Sequence, residues 1–216
     1  MEKEILSAIA TLLAAFMGAW FAFKLEEDHR KDERDKKNIS ACCKANFVLS
    51  EQLKMLGKFQ KEEIESIEDK TDIWLYMEPL PHMDHETLKF NIENLQFILD
   101  TTHKDILSQL LSQDELFHKT ISIINRRSQL LLEKLHPGFI QRMKTCKEQG
   151  KLEDKEIESL EASDRENKRR LENLTNKIIQ HVNEAIASTK KFQKIFIKAI
   201  KDIYPEANPI SFEQIE

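Results

Sequence analysis

The sequence predicts an all-α protein, with an N-terminal transmembrane helix followed by a cytoplasmic helical bundle that ends in a long C-terminal helix. Three observations carry this. Charged residues make up 33 % and hydrophobic residues 40 % of the 216 residues, while glycine numbers four and proline five; a β-rich fold needs turn residues in quantity. Apolar residues step at intervals of three and four along much of the chain, the period of a helix with one buried face. Near the start, nineteen residues from Ile5 to Phe23 carry no charge. The hydrocarbon core of a bilayer is roughly 30 Å thick and a helix rises about 1.5 Å per residue, so about 20 apolar residues cross it.

Residues 1–4 are expected as a short external N-terminus and 5–23 as the span. A cleaved signal peptide fits less well. Met1-Glu2-Lys3-Glu4 is not net basic, and Gly18-Ala19-Trp20-Phe21-Ala22-Phe23 is bulky where a peptidase needs small residues. Trp20, Phe21 and Phe23 suit the headgroup interface. Only Lys3 precedes the run, whereas Lys24, Arg30, Lys31, Arg34, Lys36 and Lys37 follow it, which places the C-terminal side in the cytoplasm. Cys42, Cys43 and Cys146 are an odd set with two adjacent, suiting reduced thiols better than a disulfide framework. Ser7, Thr11, Ala14, Gly18 and Ala22 follow one another at helical spacing. Such a small face lets helices pack closely in lipid, so membrane self-association into a homo-oligomer is expected there; the plainer alternative is the general abundance of Ala and Gly in transmembrane helices.

Residues 24–37 form a charged stalk, with Glu26–Arg30, Glu27–Lys31 and Glu33–Lys37 as acid-before-base pairs four apart. The interleaved acids favour a solvated helix over a headgroup-binding patch. Residues 38–204 are the cytoplasmic helical domain. Its first helix is expected over Asn38–Glu68, with Cys42, Asn46, Leu49, Leu53, Leu56, Ile64 and Ile67 on one stripe. Asp69–Asp84, holding Pro79 and Pro81, breaks the pattern. Its Trp74-Leu75-Tyr76-Met77 either caps the core or meets a partner, since aromatics and Met are enriched at interfaces. A further helix is expected through Leu88, Ile92, Leu95, Ile98 and Leu99, and a short one after Thr102. Ser112-Gln113-Asp114-Glu115 reads as a capping box. It opens a helix through Leu116, Ile121, Ile124, Leu131 and Leu135, stopped by His136-Pro137-Gly138. After a short piece, Phe139–Gln149, the last helix runs from about Ile157 through Leu171, Ile178, Val182, Phe192 and Phe196 to Ile203. Its length suggests a coiled coil or a helix spanning a whole bundle. Pro205 ends it, and 205–216 is a tail.

Chemistry-bearing clusters are sparse. His82-Met83-Asp84-His85-Glu86 holds ligand-type residues, but not at the His-Glu-x-x-His spacing of a zinc helix. Adjacent Cys42 and Cys43 lack the Cys-x-x-Cys spacing of a redox or zinc site, and either packing or acylation accounts for them. Asn125-Arg126-Arg127 lies nine or ten residues from His136, unlike the one-face Arg/His pair of helical ribonucleases. No phosphate loop, Ser-x-x-Lys or Gly-x-Ser-x-Gly is present. No catalytic residue, metal or cofactor is assigned, and an enzyme is not expected. Lys168-Arg169-Arg170 and Lys190, Lys191, Lys194, Lys198 and Lys201 form basic patches on the last helix. They read either as solvated faces or as contacts to anionic lipid, a nucleotide or nucleic acid. A net charge of −5 supplies no global basic field, so direct readout of nucleic acid is not expected. Trp74, Tyr76, Lys190, Lys191 and Lys194 are the candidate contacts to a cytoplasmic protein or signalling partner.

Gly18-Ala19-Trp20-Phe21-Ala22-Phe23-Lys24, the charged stalk and Ala45-Asn46-Phe47-Val48-Leu49 resemble a broad set of small bacterial inner-membrane proteins with one span and a helical cytoplasmic domain. The plan is similar to that of transmembrane effectors in phage defence, including those of some retrons. The resemblance implies a single-pass protein of the bacterial inner membrane. It carries no catalytic residue. The lone span with its small face, the sensor-sized domain and the missing catalytic constellation lead to the expectation of a non-enzymatic, membrane-perturbing effector of abortive infection. A tethered scaffold that holds a cytoplasmic partner by its long helix is the alternative.

Overall fold

The computed structural model describes residues 2–70, 72–83, 86–134 and 162–205, with the backbone alone for residues 2, 4–6, 8, 10, 134 and 162–164. Helix α1 (Glu2–Phe59) is one uninterrupted helix; the expected boundaries at residues 23/24 and 37/38 leave no break in it. Through Arg34 every described side chain of α1 is exposed, and the first buried one is Cys42. About 50 Å of helix therefore stands clear of the bundle.

Beyond Phe59 the chain makes one π turn (Gln60–Ile64) and a 3₁₀ turn (Glu65–Ile67). The wider turn has a reason. Phe59 and Ile64 are both buried in the same cluster, and positions five apart share a face only when an α-helix widens locally to i→i+5 bonding. A four-residue helix α2 (Ile73–Tyr76), a 3₁₀ helix (Glu93–Asp100), α3 (Asp105–Lys134) and α4 (Ala162–Ile203) complete the described elements. No strand occurs among the described residues, and the chain is all-α.

Three apolar clusters give the topology. The first joins Cys42 and Leu49 of α1 to Ile106 and Leu110 of α3 and Phe192 and Phe196 of α4. The second joins Leu56 and Phe59 to Phe117, Ile121 and Ile124, and to Ile178 and Val182. The third joins Trp74 and Leu75 of α2 to Leu171. So α1 and α3 run in the same direction and α4 runs back between them, packed against both. The return from the end of α1 to the start of α3 is made by an irregular strap in the place of a fourth helix. The Leu80 amide donates to Ser128 Oγ (3.1 Å), and Asn125 clasps the Met83 amide and carbonyl (3.0 and 3.2 Å). Further along, Gln52 Nε2 donates to the Leu88 carbonyl (3.0 Å).

Two local expectations change. The helix expected over Leu88–Leu99 is reduced to the 3₁₀ helix Glu93–Asp100; ahead of it Gln52 holds the Leu88 carbonyl, and Asn91 Oδ1 accepts from the Asn94 amide (3.2 Å), a local side-chain bond that competes with a helical ladder. The capping box at Ser112 lies inside α3, where Ser112 Oγ donates to the Ser108 carbonyl (3.0 Å). Ile106, Leu107 and Leu110 extend the buried stripe of Phe117 and Ile121 upstream, and tertiary burial outweighs a local cap. In the turn ahead of α3 the Thr101 hydroxyl donates to the Ile98 carbonyl (2.7 Å) and accepts from the His103 amide (3.1 Å). Asp84, His85, Leu135, the His136-Pro137-Gly138 stop, Phe139–Gln149, Cys146, Ile157 and the tail from residue 206 lie outside the described residues.

Candidate functional site

No helix among the described residues is long and apolar enough to cross a membrane. Within the uncharged run those residues, side chains included, are Ser7, Ile9 and 11–23. What they present is exposed apolar surface on every side of α1. Ile9, Leu12, Leu13, Phe16, Met17, Trp20, Phe21, Phe23 and Leu25 are 50–73 % exposed. Ser7, Thr11, Ala14, Gly18 and Ala22 are exposed as well, and a Cβ added at Gly18 would meet nothing within 4 Å. Thr11 Oγ1 donates to the Ser7 carbonyl at 2.9 Å, so this hydroxyl is satisfied within its own helix. Below the run, Arg30–Glu26 and Lys36–Asp32 pair along the stalk, and Asp32 raises the Lys36 pKa.

At the far end of the bundle, Trp74 is 7 % exposed and packs on Leu171. Lys168 Nζ lies 5.6 Å from its ring centroid, and Lys70 Nζ lies 5.3 Å from that of half-buried Tyr76. The residue that holds this end together is Arg127, 1 % exposed. Its Nη2 donates to the carbonyls of Trp74 (2.9 Å) and Met77 (2.7 Å), and its Nε to Thr175 Oγ1 (2.8 Å). Those carbonyls end α2, so one guanidinium caps α2 and ties it to α3 and α4. Burial lowers the Arg127 pKa to about 10, against the pull of Glu63 and Glu78. Glu63 is raised, chiefly by its own burial and then by Glu62 and Glu78. Arg127 thus belongs to the architecture and is sequestered from any substrate. Its sequence signal is phase: Ile124, Arg127 and Leu131 sit at i, i+3 and i+7, the spacing of a buried stripe.

A polar belt separates the first two apolar clusters. Gln193 Nε2 donates to Asn46 Oδ1 (3.1 Å) and Ser50 Oγ (2.8 Å); Thr189 Oγ1 donates to Gln113 Oε1 (3.2 Å); Gln52 Nε2 also reaches Asp114 Oδ1 (3.2 Å). His118 Nε2 lies 3.2 Å from the same Asp114 oxygen. Buried polar layers of this kind fix helix register.

Cys42 is fully buried and burial, with Cys43 beside it, pushes its thiol up to about 12; burial raises Cys43 too. Neither carries the low-pKa signature of a reactive thiol. His82 and Glu86 are exposed on the strap, and among the described residues no three His, Cys, Asp or Glu gather to hold a metal ion.

The basic patches of α4 divide into two kinds. In the first, Lys168 pairs with Glu172 (3.5 Å) and Arg170 with Glu166 (2.9 Å). In the second, Lys190, Lys191, Lys194, Lys198 and Lys201 are all exposed, and the stretch Lys190–Lys201 contains no acid. At 3.6 residues per turn these five lie within about 100° of the helix circumference, opposite Phe192, Phe196 and Ala199. The structure therefore separates Lys190, Lys191 and Lys194 on the outward face of α4 from Trp74 and Tyr76 at the far end of the bundle, where Trp74 is part of the core. Compared with family models, with curated proteins and with solved structures, the chain matches none.

Proposed function

We propose that the chain is a membrane-anchored, non-enzymatic effector whose apolar helix works in the bacterial inner membrane while its bundle receives the trigger in the cytoplasm, as a toxic component of an antiviral defence system. One observation carries the anchor. Nine large apolar side chains between Ile9 and Leu25 of α1 stand 50–73 % exposed, with none of the described residues covering them. A contiguous apolar surface of that size marks a membrane or interaction site, and lipid covers all sides of a helix at once. The proposal takes the whole sequence run Ile5–Phe23, a length that suits a bilayer. The effector role is supported by continuity: α1 passes from the anchor into the first apolar cluster with no break, so a shift of the bundle is a shift of the anchor.

The test has two stages. The full chain should resist extraction from bacterial membranes by alkaline carbonate, and Leu12→Arg/Phe16→Arg should release it. Expression in cells carrying a voltage-sensitive dye and the chain's genomic neighbours should then depolarise the membrane on triggering. Carbonate release of the unaltered chain removes the anchor; membrane retention without depolarisation under any trigger removes the effector role and leaves the tethered scaffold. That second reading is supported by α4, which packs on α1, α2 and α3 yet keeps one long face free.

A further inference from the structure

The five-lysine face of α4 has a chemistry that its neighbours lack. Every other dense group of cations on the described helices is interleaved with acids, as along the stalk at Arg30–Glu26 and Lys36–Asp32 and at Lys168–Glu172 and Arg170–Glu166. Between Lys190 and Lys201 there is no acid, and among the described residues none of the five lysines has an ion-pair partner. The nearest acid beyond them, Asp202, faces His103 at 3.6 Å. Five positive charges thus line about 17 Å of one helix face in a chain of net charge −5.

We propose that this face binds the sugar-phosphate backbone of duplex nucleic acid without reading its sequence. The choice of partner follows from three features. All five cations are lysines, compact point charges each able to take one phosphate oxygen at a backbone-tracking, sequence-independent contact. The aromatic residues of this stretch, Phe192 and Phe196, are buried, so no ring is offered for base stacking, which single strands require. The large apolar side chains flanking the lysines are Ile195, 41 % exposed, and part-buried Ile197, too little for the buried centre of a protein interface. The bilayer is disfavoured by height, an argument that rests on the anchored reading, whereas the other three stand without it. Tyr204 is tied to Asn38 (2.9 Å), fifteen residues of continuous helix past Phe23. That is about 22 Å, beyond the roughly 8–10 Å over which charges act at cellular salt.

The experiment uses the full chain in a mild detergent and a fluorescent 20-base-pair duplex of arbitrary sequence, followed by anisotropy between about 25 and 200 mM salt. Binding should weaken with a log–log slope near −0.9 per phosphate contacted, about −4.5 for five, or roughly 500-fold between 50 and 200 mM. Lys190→Glu/Lys194→Glu/Lys198→Glu should abolish it, the milder Gln triple should weaken it at least tenfold, and Lys168→Glu/Arg169→Glu/Arg170→Glu should leave it within threefold. Unchanged helicity by circular dichroism certifies each variant, and the Gln triple serves if the Glu triple unfolds. No binding at 25 mM salt overturns the proposal. So does polyglutamate competing as well as the duplex, which assigns the face to an acidic protein. Lysine-dependent binding to phosphatidylglycerol vesicles without duplex binding also overturns it, assigning the face to a membrane surface.

Discussion

Arg127 donates to the main-chain carbonyl of Met77 at 2.7 Å, and through that bond a four-residue helix too short to persist alone is fastened to the bundle. The same Nη2 serves the Trp74 carbonyl. Arg127→Met keeps the volume and leaves both carbonyls buried without a donor, at about 1–3 kcal/mol each. Stability by urea unfolding should fall by about 2–6 kcal/mol, with Trp74 fluorescence reporting the loosened end. Arg127→Lys, which keeps the charge but has no planar fork, should lie between. An Arg127→Met chain as stable as the original would mean that the clamp adds nothing.

The polar belt makes a prediction of opposite sign. Asn46 is fully buried, and its Nδ2 finds no acceptor among the described residues while its Oδ1 accepts from Gln193. Replacing polar partners in an interior by apolar groups of similar shape is often neutral or stabilising. Asn46→Leu/Gln193→Leu should therefore hold or raise the melting temperature, even though it deletes hydrogen bonds. The loss should appear in uniqueness, as broader amide resonances or mixed association states, because the belt fixes how α1 and α4 slide past each other.

How much of this was legible in the sequence depends on the range of the interaction that decides it. The stripes of α1, α3 and α4 were readable because Leu49 and Leu56, Ile121 and Ile124, and Ile178, Val182 and Phe196 are periodic and all end up buried. The strap was not readable. Residues 88–99 have helical spacing, yet the segment is pinned at the Leu88 carbonyl by Gln52, thirty-six positions away. Arg127 sits in the apolar phase of α3, but with Asn125 and Arg126 it is weighed in the sequence only against the Arg/His pair of helical ribonucleases. The contrast between the two basic patches was visible in the acids at Glu166 and Glu172 and their absence from Lys190 to Lys201; the structure added that all five lysines face outward.

Burial gives Cys42 a distinct pH behaviour. Its thiol is pushed up to about 12 from 9.0, so at pH 8 about one molecule in ten thousand carries the thiolate, against about one in ten for the free thiol. Alkylation followed by mass spectrometry at pH 8 should mark Cys42 only as fast as the bundle unfolds. The linkage has a definite sign. Between pH 9 and 12 the unfolded chain has lost this proton and the folded chain has kept it, so stability falls as pH rises through that window. Rapid alkylation of Cys42 in a fully folded chain would contradict the burial.

Two phenylalanines separate the bundle from the exposed apolar run. Phe196 is fully buried and Phe16 is 70 % exposed. Phe196→Ala should cost about 3–5 kcal/mol in urea unfolding, whereas Phe16→Ala should leave bundle stability within about 0.5 kcal/mol. If both variants lose equal stability, residues of the apolar run pack on the bundle.

The continuity of α1 makes the sharpest claim on function. Arg34 is exposed, lies between the apolar run and the first buried residue, Cys42, and has no ion-pair partner among the described residues. Proline there removes a helix bond and collides with the preceding turn, at about 3 kcal/mol of local helix stability. The bundle, whose burial begins downstream, should keep its urea midpoint, and the run Ile5–Phe23 should still partition into membranes. On the effector reading proposed above, what Arg34→Pro should abolish is triggered depolarisation, because bundle and apolar run then move independently. An Arg34→Ala control keeps the helix and should keep the response. Full depolarisation by the proline variant would mean that the signal does not travel along α1, and that the anchor acts by being present and not by being moved.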